Sequence, residues 1–111
     1  MKFVFLYRKP NDPGSKLSAA EMQAGYMKWQ SWMTKYAKEI LETSPPRSGP
    51  KPNGAVGVVR GGAVTDGPYV EGKEIVAGWS FIEAESFAHA TEIAKEVPMF
   101  ASVEIIELQS F

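Results

Sequence analysis

The chain contains no cysteine and a single histidine. The first absence excludes a disulfide and a thiolate nucleophile. Together they exclude a zinc site built from nitrogen and sulfur ligands, so no metal centre is expected. Charge of one sign is also missing. Twelve basic residues face 13 acidic ones, for a net charge of −1. Proteins that grip nucleic acid through its phosphates carry a basic excess, and a nucleic-acid partner is therefore not expected. Nor is there an apolar run near the roughly 20 residues that a membrane-spanning helix needs. The apolar start Phe3-Val4-Phe5-Leu6-Tyr7 is cut off at once by Arg8 and Lys9, too short for a secretory signal. No membrane partner and a cytoplasmic location are the expectations.

What is present suits one domain over residues 1–111, with 44% hydrophobic residues. A chain of this size buries roughly two thirds of its extended surface on folding. Residues 3–7 read as a strand, and Pro10-Asn11-Asp12-Pro13-Gly14 as a turn. Ser18-Ala19-Ala20-Glu21 is a capping box at a helix start. Met22, Tyr26, Trp29, Met33, Tyr36 and Ile40 then recur in steps of four and three, which predicts a long helix over residues 19–42. Trp32 stands about 80° from the centre of that face, on a flank able to meet a ligand or a second subunit.

A proline-rich loop is expected over residues 43–53. Residues 55–60 and 63–65 read as strands joined at Gly61-Gly62, and Asp66-Gly67-Pro68 as a turn. Residues 75–82 are apolar or small on both faces, the pattern of a central strand covered on both sides. Ser86 caps a second helix, whose buried face is Phe87, Ala90, Ile93, Ala94 and Val97 and which Pro98 ends. Residues 103–108 form the last strand. This order predicts an α+β fold: a ferredoxin-like antiparallel sheet with two helices on one face and an extra hairpin strand. Two helices cannot cover both faces of such a sheet. A second copy is the simplest cover for the other, which predicts a homodimer.

The stretch Val64-Thr65-Asp66-Gly67-Pro68-Tyr69-Val70-Glu71-Gly72-Lys73-Glu74 resembles the signature of the YCII-related (DGPF) family. Tyr69 takes the place of that family's phenylalanine, and Glu71, Lys73 and Glu74 match in spacing. Gly78-Trp79-Ser80-Phe81-Ile82-Glu83 resembles the family's next strand, and residues 94–98 with Val103-Glu104-Ile105 its closing helix and strand. The resemblance implies a dimeric α+β barrel. Some relatives accompany sigma factors of the extracytoplasmic type, and others are enzymes with a histidine–aspartate pair. This chain has no histidine on its first helix and carries Glu96-Val97 before Pro98, so that pair is not carried over.

The densest chemistry lies in the signature. Asp66, Glu71 and Glu74 are the candidate catalytic carboxylates, able to move a proton. Asp66, Gly67, Pro68, Tyr69, Glu71 and Lys73, with Trp32, are the candidate ligand-binding residues. Asp66-Gly67-Pro68 also has every feature of a plain turn. Glu71 and Lys73 share one face of an extended chain; as an exposed ion pair they would contribute less than about 1 kcal/mol. His89 falls with Glu85, Glu92 and Glu96, off the apolar stripe of its helix, where a solvated role is expected. The glycines from 54 to 62 do not spell a phosphate loop, and no cofactor is expected. Three functions follow: a dimeric small-ligand-binding or accessory protein, a small enzyme using a carboxylate near Asp66, or a partner in sigma-factor-linked regulation.

Overall fold

The computed structural model describes residues 1–10, 18–44, 57–66 and 74–109. Their elements run β1 (Lys2–Pro10), α1 (Ala19–Lys35), β2 (Ile40–Thr43), β3 (Gly57–Arg60), β4 (Ala63–Asp66), β5 (Glu74–Glu83), α2 (Phe87–Lys95) and β6 (Ser102–Leu108). Strands β2, β5, β1 and β6 lie side by side in that order, every neighbouring pair antiparallel. With β3 and β4 set aside, this is the strand order of a ferredoxin-like sheet, as expected from the sequence.

The expected helix over residues 19–42 is corrected at its far end. Its start is as read: Ser18 Oγ accepts from the Glu21 amide at 3.1 Å, and the Glu21 carboxylate accepts from the Ser18 amide at 3.3 Å. Ser18→Ala is expected to cost about 1 kcal/mol, the usual worth of such a cap, measured by urea unfolding. The helix nevertheless stops at Lys35, and residues 36–39 turn the chain into β2. Ala37, Lys38 and Glu39 are good helix formers, so nothing local demands this end. Tertiary structure does. Ile40 and Thr43 pair with Ile82 and Ser80, covering an edge of β5 that would otherwise be bare.

That strand also displaces the expected hairpin. Gly61 and Gly62 do form a two-residue turn, at φ 58 and φ 84, the positive angles a type I′ hairpin requires. The ribbon β3–β4 is a separate two-stranded sheet, not an extra strand of the main one. Asp66 ends β4, opposite Gly57, where a turn was expected. The turn expected at residues 11–14 and most of the proline-rich loop expected over residues 43–53 lie outside the described residues.

Alternation along β1 sends Phe3, Phe5 and Tyr7 to one face, where they are fully buried. Trp29 and Trp32 of α1, Ile82 of β5 and Ala90, Ile93 and Ala94 of α2 pack on them. Both helices thus cover the same face. Phe87 departs from the expected buried stripe: it is largely exposed, with its ring edge-on to Phe3 at 6.1 Å between ring centres. Being the first residue of α2, it overhangs the sheet end. Ser86 caps this helix by accepting from the His89 amide.

Among the described residues, none packs over the opposite face of the sheet. Register places Val4 beside Phe81 and Ile106, Leu6 beside Trp79 and Glu104, and Arg8 beside Val76 and Ser102. Val76 is 45% exposed, and Phe81 and Ile106 are 38% exposed. The central position expected for β5 is correct. Its expected double coverage is not seen among the described residues.

Candidate functional site

At the end of the sheet where β1, β5 and β2 meet, four hydroxyl residues converge beneath an aromatic cluster. Register explains the meeting. Gly78 is the cross-strand partner of Tyr7, and Ser80 pairs with Phe5 on one side and Thr43 on the other. The small glycine leaves Tyr7 free to lean diagonally along β5, a reach open to long side chains. Its hydroxyl donates to Ser80 Oγ at 2.5 Å. Ser80 Oγ lies 2.6 Å from Thr43 Oγ1, and Thr43 donates to the Trp79 carbonyl at 3.2 Å. Each hydroxyl has one proton to give. Spending them in that order makes a one-way relay, Tyr7 to Ser80 to Thr43 to a backbone oxygen.

Ser44 clasps the same strand. Its Oγ accepts from the Trp79 amide at 2.9 Å, and its own amide donates to the Trp79 carbonyl at 2.9 Å. Ser80 is wholly buried and so is Tyr7. Burial pushes the Tyr7 phenol far above the usual tyrosine range, and the Ser80 hydrogen bond offsets this in part. Tyr7 is therefore a fixed neutral group at physiological pH and no base. Above it lie Phe100, stacked at 4.6 Å and 7°, and Trp29, edge-on at 5.5 Å and 87°. Such pairs contribute beyond their buried area.

A second polar feature stands at the other end of β2. Glu39 Oε2 is the buried side-chain oxygen without a hydrogen-bond partner among the described residues. The Glu39 backbone is firmly held, its carbonyl accepting from the Glu83 amide at 2.8 Å.

Of the residues singled out in the sequence, Trp32 has a described side chain. It is buried, its indole N–H donates to the Ile93 carbonyl at 3.1 Å, and its ring packs 5.1 Å from Trp29. Its outer edge contributes to a shallow groove of about 310 Å³ with Met27, Lys28, Ser31, Lys35 and Glu96. Lys35 and Glu96 close this groove with an ion pair at 2.6 Å. Asp66 is the last residue of β4, and Glu74 is the first of β5, opposite Pro10. Gly67, Pro68, Tyr69, Glu71 and Lys73 lie outside the described residues. His89 is half-buried and accepts from the Glu85 amide through Nδ1 at 3.1 Å, stapling the start of α2. No group of three or more metal-ligating side chains occurs among the described residues.

Tyr7, Ser80, Thr43, Phe100 and Glu39 were not singled out by sequence reasoning. One signal was legible: Ser80 is a polar residue in step with Ile82 on a strand whose neighbours are apolar. A polar residue at a buried position asks for a partner. Glu39 gave none, because the sequence placed it inside a helix.

No protein-family model matches the chain, and no curated protein matches it in sequence. A solved structure does match in shape. It is the 5-chloro-2-hydroxyhydroquinone dehydrochlorinase TftG from Burkholderia phenoliruptrix AC1100, in complex with 2,5-dihydroxybenzoquinone. The match has a TM-score of 0.52 at 15% identity and covers 98% of this chain and 94% of that one. What the two share is the α+β fold. No helix among the described residues is long and apolar enough to cross a membrane.

Proposed function

We propose that this chain is a small-molecule-binding protein of the YCII-related type that works in the cytoplasm as a homodimer joined through the open face of its sheet. The observation that carries the proposal is that face. Val4, Leu6, Trp79, Phe81, Val76 and Ile106 form a contiguous apolar surface across three strands. A patch of this kind marks an interaction site. Charges of both signs border it: Lys2 stands opposite Glu83 at one end, Arg8 is bonded to Glu104 at the other, and Glu42 lies beside Phe81. A surface that carries both signs can set opposite charges against each other across a two-fold axis.

The ligand-binding part is supported by the fold's ability to hold a small ring, as TftG does with 2,5-dihydroxybenzoquinone, and by the signature from Asp66 to Glu74. In that signature Lys73, Glu71 and Asp66 carry charge, Tyr69 an aromatic ring, and Gly67-Pro68 the composition of a turn; the outer edge of Trp32 is the further candidate contact. The test is a thermal-shift survey of small organic acids, phenols and sugars against the purified protein. At least one class is expected to raise Tm, and Lys73→Ala to weaken its binding about tenfold with stability nearly unchanged. A survey without a single shift removes the ligand reading. A large stability loss from Lys73→Ala assigns that residue to a structural pair instead.

A second reading, a small enzyme in which Asp66, Glu71 or Glu74 moves a proton, is favoured by the likeness in fold to a dehydrochlorinase. It requires turnover of a surveyed compound that Asp66→Asn, Glu71→Gln or Glu74→Gln abolishes.

A further inference from the structure

The ribbon β3–β4 is a formed element that lacks a support among the described residues. Its two strands of four residues make a sheet of their own. An isolated two-stranded hairpin is marginally stable at best in water and needs an apolar surface to pack on. Val59 is 68% exposed, and Ala63 is exposed as well. A Cβ added at Gly61 or Gly62 would meet nothing within 4 Å. The tip of the ribbon is thus bare, and it carries an apolar residue where a charge or a polar group would serve a solvated loop better.

The open face of the main sheet has the complementary deficit. Its apolar part spans three strands and about five residues along each, an outline of roughly 250 Å² at the usual strand spacings. A stable interface of standard size buries about 800 Å² from each partner. Two such faces laid together therefore leave much of that area to be found beyond the sheet. The chain's own order links the two features. Residues 67–73 join β4 to β5, and β5 brings Trp79 and Phe81 to the open face. Across that connection Asp66 and Glu74 stand at most about 29 Å apart. The ribbon is tethered beside the surface that a second copy covers.

We infer that the β3–β4 ribbon is an arm that each copy lays on the open sheet face of the other, beside the contact between the two sheets, with Val59 buried there. The inference rests on the homodimer reading above and deepens it. One contact gives the ribbon its cover and enlarges the interface. Because β4 ends on Asp66, a seated arm also carries the first residue of the Asp66–Glu74 signature to the boundary between the copies. The ligand site then belongs to the pair of chains.

The experiment compares the full chain with Val59→Asp and Val59→Ile by sedimentation equilibrium. Val59→Asp is expected to raise the dimer dissociation constant about tenfold or more, since each arm then takes an unpaired charge into an apolar contact. Val59→Ile is expected to stay within about threefold of wild type. Unchanged pairing of Val59→Asp overturns the inference and leaves the homodimer standing. A monomeric wild type overturns both. A second measurement does not depend on Val59→Asp. The chain has no cysteine, so Val59→Cys accepts a single benzophenone photocrosslinker. In a mixture with isotope-labelled wild type, light is expected to join the unlabelled Cys-bearing peptide to a labelled peptide from β1, β5 or β6. Attachment confined to its own copy, attachment to the helices, or no attachment at all overturns the inference.

Discussion

Trp79→Asp is expected to give a folded monomer. Trp79 lies on the open face of β5, opposite Leu6 and with its ring 5.1 Å from that of Phe81. None of the inner core depends on it: Phe3, Phe5, Tyr7, Trp29 and Ile93 all lie on the other side of the sheet. In the dimer an aspartate there would be a charge without a partner in an apolar contact, and the two-fold axis would bring in a second. Removing even one such charge from water costs several kcal/mol. The dissociation constant should therefore rise at least about 100-fold, equivalent to roughly 3 kcal/mol. Sedimentation equilibrium reports the mass, and far-UV circular dichroism the retained helices. Phe81→Glu should behave alike. A wild-type protein that sediments as a monomer would remove the assembly, and a Trp79→Asp protein that still pairs would move the interface elsewhere.

The second large effect is on stability. Ser80→Ala is expected to destabilise by about 1–3 kcal/mol, because it leaves the buried Tyr7 hydroxyl without an acceptor. Tyr7→Phe removes the donor itself and should cost less, about 1 kcal/mol. The asymmetry is the diagnostic, and urea unfolding of both variants measures it. If the two cost the same, the hydroxyls are not linked as described. The same bond makes a pH prediction. Burial raises the Tyr7 pKa in the folded state above its unfolded value, so the unfolded chain loses the proton first as pH rises. The contribution is complete below the ordinary tyrosine value of about 10 and is lost as pH climbs above it. Tyr7→Phe should flatten that alkaline decline relative to wild type.

The periodic parts of this fold could be read before any coordinates. Alternating strands, the Ser18 and Ser86 caps and the Gly61-Gly62 turn are decided by neighbours a few residues away, and each stands where the residues put it. Residues 36–43 could not be read, because their state is decided by β5, some forty positions on. Ile40 fitted the helical stripe as well as it fits an edge strand. That one sheet face would need a cover was legible from counting layers, since two helices are too few for two faces. The hydroxyl relay was not. Tyr7, Thr43 and Ser80 are unremarkable alone, and only the register among three strands brings their oxygens together. Phe100 was hidden for the same reason, since it stands near one end of the chain and its neighbours Tyr7 and Trp29 near the other. The Asp66–Glu74 signature remains a sequence observation, with its centre beyond the described residues.

The pairing of β2 with β5 has an evolutionary corollary. Ser44 and Trp79 are bonded backbone to backbone, so the end of β2 is fixed to β5 by its own contacts. Residues 45–56 take no part in that clasp, and their length and composition can drift while it holds. Relatives of this protein should differ most there and still superimpose at Ser44 and Trp79.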